Sequence, residues 1–141
     1  MSTEHIVALI GSVRARAHEL ISRELERRGH GRLAPSHGAI LVLLYKQGPL
    51  PMGALAQAID RRKNTVTSLV GKLEAAGYVR RQPSPEDQRV SLVALTEQGE
   101  AFRADFDAVS EKLLRTIWGD MPPSQREALV AGLEQLLANL K

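Results

Sequence analysis

The chain has 141 residues, 43% of them apolar and 25% charged, which suits one folded domain with a modest core. It has no cysteine, which excludes disulfides, thiolate zinc sites, cysteine nucleophiles and thiol-based oxidant sensing, and its four histidines never fall at a close metal-ligand spacing. The net charge of +3 is concentrated: residues 60–89 carry seven bases and four acids, a basic zone on an otherwise balanced chain that suggests a polyanion footprint.

Residues 5–29 read as an amphipathic helix, with Ile6, Leu9, Ile10, Val13, Ala17, Leu20, Ile21 and Leu25 recurring at steps of three and four until the Gly29-His30-Gly31 cluster. Pro35 and Ser36 open a second, apolar-rich helix that Gly48-Pro49 stops. Pro51 starts a short third helix reaching Ile59, and the charged turn Asp60-Arg61-Arg62 leads into a fourth that ends at Gly77. The fourth carries Val66, Leu69, Val70 and Leu73 on one stripe. Its opposite face, with Lys63, Asn64, Thr67, Ser68, Gly71 and Lys72, is hydrogen-bonding and basic. Two β-like runs follow, residues 78–82 and 90–95, joined by a loop with two prolines, and they predict a two-stranded hairpin with a polar tip. Thr96 can cap the next helix, which carries Phe102, Phe106, Val109, Leu113 and Ile117 and breaks at Pro122-Pro123. Ser124 and Glu127 then have capping-box spacing before a last helix with Leu129, Leu133, Leu136, Leu137 and Leu140.

Four helices, a hairpin and two more helices make a mainly α fold with a small β-hairpin wing. A short helix, tight turn, longer helix and hairpin is the winged helix-turn-helix layout. We expect a single domain over residues 1–141, with a DNA-binding lobe at 33–96 and a helical dimerisation region at 1–30 and 97–141. The apolar stripes of the outermost helices exceed what one small core can bury, so a second copy of the chain is the expected partner.

The block from Gly48 to Gly99 resembles the MarR/SlyA family of bacterial regulators. The resemblance rests on Leu55-Ala56, Thr65-Val66-Thr67, Leu69-Val70, Lys72-Leu73-Glu74, Gly77-Tyr78-Val79 and Arg80-Arg81, followed by Pro85-Glu86-Asp87-Gln88-Arg89, Val93, Leu95-Thr96 and Gly99. It implies a triangular homodimer with interlocked outer helices and two winged lobes on one duplex. It also implies, as in many members, release from DNA when a small, often aromatic molecule binds between lobe and dimer region. The sequence departs from the family at Arg61, where an apolar residue is usual, and at Ser91, where an apolar or basic one is. The first predicts extra contact with the DNA backbone, the second a less firmly packed strand.

The expected DNA-binding residues are Arg61, Arg62, Lys63, Asn64, Thr65, Thr67, Ser68, Lys72, Asp87 and Arg89. Asn64, Thr67 and Ser68 have short polar groups that can meet base edges in the major groove, whereas Arg62, Lys63 and Lys72 suit phosphates. Thr65, and alternatively Asn64, can instead cap the helix start, the reading favoured for Thr65. Arg89 can enter a narrow minor groove, held by Asp87 two residues away. Arg14, His18 and His37 are the candidates to receive an anionic aromatic effector, with ordinary interface or solvated roles as the alternative; Trp118 reads as interface packing.

No catalytic residues, metal or cofactor are expected, because the chain lacks a cysteine nucleophile, a glycine-rich phosphate loop, HExxH and GxSxG. With no apolar run long enough to span a bilayer and no signal-peptide pattern at Glu4 and His5, no membrane association and a cytoplasmic location are expected. The competing reading is a winged-helix module for protein contact without specific DNA binding. The basic face of the fourth helix discriminates against it.

Overall fold

A computed structural model describes residues 2–141, so the first residue of the expected 1–30 segment lies outside the described residues. The order is α1 (Ile6–Arg27), a single 3-10 turn (Pro35–His37), α2 (Gly38–Gln47), β1 (Leu50–Pro51), α3 (Met52–Ala58), α4 (Lys63–Ala75), β2 (Val79–Pro83), β3 (Ser91–Leu95), α5 (Glu97–Ala101), α6 (Arg103–Trp118) and α7 (Pro123–Asn139). No helix among the described residues is long and apolar enough to cross a membrane.

The core lies beneath α4. Val66, Val70 and Leu73 are fully buried, as the stripe requires, against Ile40, Leu41 and Leu44 of α2, Leu55 of α3 and Val93 of β3. The wing pairs antiparallel from Val79↔Leu95 to Pro83↔Ser91. This is the expected hairpin. The short β1 adds to it through Leu50↔Val93 and Pro51↔Leu92, giving a three-stranded sheet in the order β1-β3-β2. Two residues, one of them a proline, leave no periodic pattern, and Pro51 is tolerated because β1 is an edge strand. Ser91, at the exposed start of β3, pairs only with the end of β2.

The segment after the wing is two helices rather than one. α5 and α6 meet at Phe102, whose N–H still donates to Gln98 and whose carbonyl accepts from Phe106, so the hydrogen-bond ladder bends without stopping. Thr96 caps α5 as expected, its Oγ1 accepting from Gly99 N–H at 3.1 Å. The Ser124–Glu127 capping box does not form. α7 starts two residues earlier than that cap requires, at Pro123 with Pro122 as the flanking residue, and no side chain caps it. Proline needs no N–H partner at the first helical position, so the earlier start leaves Ser124 inside the helix.

Three helices stop in the same way. In each, a residue of positive φ (Gly29, Asp60 or Gly77) follows the helix, and the next N–H reaches back to a carbonyl of the last turn: His30 to Leu25, Arg61 to Ala56, Tyr78 to Leu73. Asp60, at φ 55°, is the only non-glycine of the three, and it sets the turn between α3 and α4.

The outer helices are barely buried. None of the residues of α7 is buried, and Ile6, Val7, Leu9, Ile10 and Val13 of α1 are all at least 40% exposed.

Candidate nucleic-acid interface

α4 is anchored by one side and open on the other. Opposite the fully buried Val66, Val70 and Leu73, the side chains of Lys63, Asn64, Thr65, Thr67, Ser68 and Lys72 are exposed, as are Arg61 and Arg62 before them. Backbone geometry sets where that face begins. Asp60 closes α3, Arg61 N–H is spent on Ala56, and Arg62 is the extended residue from which α4 starts.

No side chain caps α4, so neither Thr65 nor Asn64 does so. They sit inside the first turn, at its second and third positions, where an Ncap geometry is out of reach. The N–H groups of that turn are therefore left to solvent or to an anion, which the helix dipole favours. Thr67 Oγ1 donates back to the Lys63 carbonyl at 2.8 Å, leaving its methyl and lone pairs outward. Among the described residues no hydrogen bond holds the Asn64 amide, so both its donor and acceptor are available.

At the wing tip, Arg89 Nε donates to Asp87 Oδ1 at 3.1 Å and its NH2 to Oδ2 at 3.3 Å, while Arg89 N–H donates to Oδ1 at 3.0 Å. These bonds hold the Asp87 carboxyl below its usual range. The Arg89 side chain is nevertheless 91% exposed, so the clamp orients the guanidinium without covering it. As a surface ion pair it contributes little stability. Its effect is directional. Two further cations are tied elsewhere: Arg80 donates to the Leu95 carbonyl, and Arg81 stands 3.7 Å from Glu74.

Between the winged lobe and α1/α6 lies a cavity of about 120 Å³, walled by Ile21, Leu25, Leu33, Phe102, Phe106 and His37 among others. Of the three proposed effector contacts, the structure brings only His37 to it. Arg14 and His18 are not among its walls: Arg14 stands seven positions, about 10 Å of helix, before Ile21, and His18 borders a separate open groove with Glu19 and Arg23. His37 is 3% exposed, and its Nδ1 accepts from Ala34 N–H at 2.9 Å. Burial, with Lys72 nearby, lowers its pKa and keeps the ring neutral. The hydrogen then sits on Nε2, which is buried without a partner. Among the described residues no charged side chain lines the cavity.

Sequence reasoning missed several residues that build this geometry. Asp60 in its left-handed turn, Arg32 donating to the Ala75 carbonyl at the end of α4, and the contact of His30 with Tyr78 have no motif of their own. Only Gly29 and Gly77, marking helix ends, hinted at where His30 and Tyr78 would be fixed.

The sequence model of the MarR family matches residues 33–91, which span the 3-10 turn through the start of β3. The chain is 32% identical over 98 residues to the HTH-type transcriptional regulator YfiV of Bacillus subtilis, covering 69% of this chain and 61% of YfiV. The chain thus spans about three fifths of that curated relative's length. A probable transcriptional regulator from Pseudomonas aeruginosa superposes with a TM-score of 0.81 at 26% identity, over 94% of this chain and 97% of the other. BpsR of Bordetella bronchiseptica, described as regulated in its DNA binding by 6-hydroxynicotinic acid, shares the fold at a TM-score of 0.81 and 21% identity, over 96% and 95% of the two chains. These named relatives are transcriptional regulators, and over residues 33–91 the chain is similar to the MarR family.

Proposed function

We propose that this protein is a sequence-specific, dimeric transcription regulator, a repressor, that binds a palindromic operator and is released from it by a small molecule. The observation that carries the reading is α4. A helix pinned by three fully buried side chains presents an unbroken outward face of cations and short hydrogen-bonding groups, with uncapped N–H groups at its start. In the major groove Asn64 and Ser68 meet base edges, Thr67 offers its methyl to thymine, and Arg62, Lys63 and Lys72 hold phosphates. Arg61 adds backbone contact, and Arg89, aimed by Asp87, enters the minor groove.

The homodimer follows from exposed apolar side chains. Leu129, Val130, Leu133, Leu136 and Leu137 of α7, with Ile6, Leu9, Ile10 and Val13 of α1, make a surface that water-exposed monomers rarely keep. A two-fold dimer reads half-sites about one helical turn, roughly 10 bp, apart. BpsR, regulated by a pyridine carboxylate, supports a ligand-responsive fold. The cavity beneath Phe102 would admit a small uncharged ligand rather than the anion anticipated from Arg14 and His18, because no cation lines it.

Selection of duplexes from a random library, followed by footprinting, tests the reading. Enrichment of an inverted repeat protected on both half-sites supports it. Binding with no sequence preference, or a folded monomer by sedimentation at micromolar concentration, would overturn it.

A further inference from the structure

Lobe and scaffold are joined by a hydrogen-bonded seam centred on His30. Its Nδ1 lies 2.6 Å from the Tyr78 hydroxyl and its Nε2 lies 3.1 Å from Asp105 Oδ2. Asp105 also accepts from Arg28 at 2.9 Å, and Arg28, followed by His30, holds that carboxyl below its usual range. An ionised carboxylate can only accept, so Nε2 carries a hydrogen. In the neutral ring Nδ1 is then the acceptor, and Tyr78 O–H donates to it.

Neither partner can easily drift. His30 and Tyr78 are each the residue after a positive-φ glycine, with backbone N–H groups tied to Leu25 and Leu73. The His30 ring stands edge-on to Phe102 at 4.5 Å, and Tyr78 packs on the same ring at 5.5 Å. Tyr78 is 3% exposed, and it stands three residues after the end of α4.

A proton on Nδ1 turns that atom from acceptor to donor. The Tyr78 hydroxyl hydrogen then loses its acceptor, and among the described residues nothing else bonds to that hydroxyl. The bond to Asp105 meanwhile gains charge. The surrounding groups leave this balance intact: Glu24 on α1 is engaged by Lys112 of α6 and by Arg27, and Arg28 is on Asp105. We infer that His30 is a positioning residue for DNA binding: neutral, it accepts from Tyr78 and pins the end of α4 to the scaffold, and protonated, it can only donate to the Tyr78 oxygen, which strands the buried hydroxyl hydrogen and weakens that pin while keeping Asp105. This rests on the DNA-binding reading above. A loosened lobe must be ordered again on the duplex, so affinity falls as His30 takes up its proton.

The test uses the full chain between about pH 5.5 and 8. NMR follows the hydroxyl-bearing ring carbon of Tyr78 in wild type and His30→Gln, and anisotropy measures affinity for the selected duplex in wild type and Tyr78→Phe, which keeps the ring packing. The Tyr78 resonance should follow the His30 titration and go flat in His30→Gln. On acidification, wild-type affinity should fall about fivefold or more relative to Tyr78→Phe, the scale of one stranded buried donor. A Tyr78 resonance that ignores His30 would overturn the inference, and so would identical pH profiles for wild type and Tyr78→Phe. Loss of DNA binding at every pH, with Tyr78 still following His30, would remove the DNA-binding reading and uphold the switch.

Discussion

Gly99 and Tyr78 meet backbone to backbone: a Cβ on Gly99 would stand 2.1 Å from the Tyr78 carbonyl oxygen. The approach is locked from several sides. Tyr78 O accepts from Thr96 N–H, Thr96 Oγ1 donates to the Gly77 carbonyl and accepts from Gly99 N–H, and Tyr45 donates to the Gly99 carbonyl at 2.7 Å. Burial raises the Tyr45 hydroxyl to about 12, so it remains a donor at any working pH. The end of α4, the start of the wing and the first turn of α5 are thereby one joint.

That joint has no room for a methyl group. Gly99→Ala should cost about 3 kcal/mol or more, the upper range for overpacking, read as a fall in the denaturation midpoint. Gly53→Ala, on α3 with open space around it, is the control and should leave stability near that of wild type. Equal losses in both variants would show that the Gly99 contact is not the constraint.

The turn before α4 makes a second prediction. Asp60 holds φ 55°, where a non-glycine residue is strained and a β-branched one more so. Asp60→Gly should keep or raise the melting temperature, whereas Asp60→Val should lose about 1–2 kcal/mol. If Val is tolerated as well as Gly, the left-handed turn is not what sets the start of α4.

These two sites show what could and could not be read from the chain. The stripe Val66, Val70, Leu73 was legible because a period of 3.6 is a local property, and it emerged fully buried. Leu69 on the same stripe is only partly buried, since the neighbours set the exact width of a face. β1 was not legible, because Leu50 and Pro51 become a strand only when Val93 and Leu92 arrive beside them. The α5/α6 bend was hidden for a similar reason, with Phe102 continuing the apolar period through it. At the interface, exposure of the α4 face followed from its composition. The unused cap at Thr65 did not, because it depends on which residue adopts extended backbone, and that residue is Arg62.

Acid stability should depend on the scaffold. Glu24 is buried, accepts from Lys112 of α6 and from Arg27 at 2.6 Å, and those bonds lower its pKa from 4.5 to about 2. A carboxyl depressed on folding contributes stability that is fully present above its unfolded value and lost as pH falls toward the folded one. The loss should therefore fall between about pH 4.5 and 2. Denaturation of Glu24→Gln at several pH values should show a flatter acid limb. An unchanged limb would assign acid sensitivity to other groups, Asp105 first.

The last prediction separates positioning from reading on the DNA itself. Lys63 is exposed at the start of α4 and is assigned to a phosphate, so Lys63→Ala should weaken binding to every sequence alike. Its slope of log K against log salt should drop by about one counterion per subunit. Asn64, whose amide no protein group holds, is assigned to a base edge, so Asn64→Ala should cost about 1–3 kcal/mol on the operator and relax preference at one position per half-site. Arg89→Ala should weaken binding most where the flanks are A·T-rich, because a narrow groove is its partner. Asp87→Asn, which removes the charge of the carboxylate clamp, should act in the same direction but less, since the guanidinium survives without its guide. Titrating all four variants against the operator and a scrambled duplex at two salt concentrations distinguishes these roles. Should Asn64→Ala lose equal affinity on both duplexes, its amide does not read a base, and the outward face of α4 serves only to hold the DNA backbone.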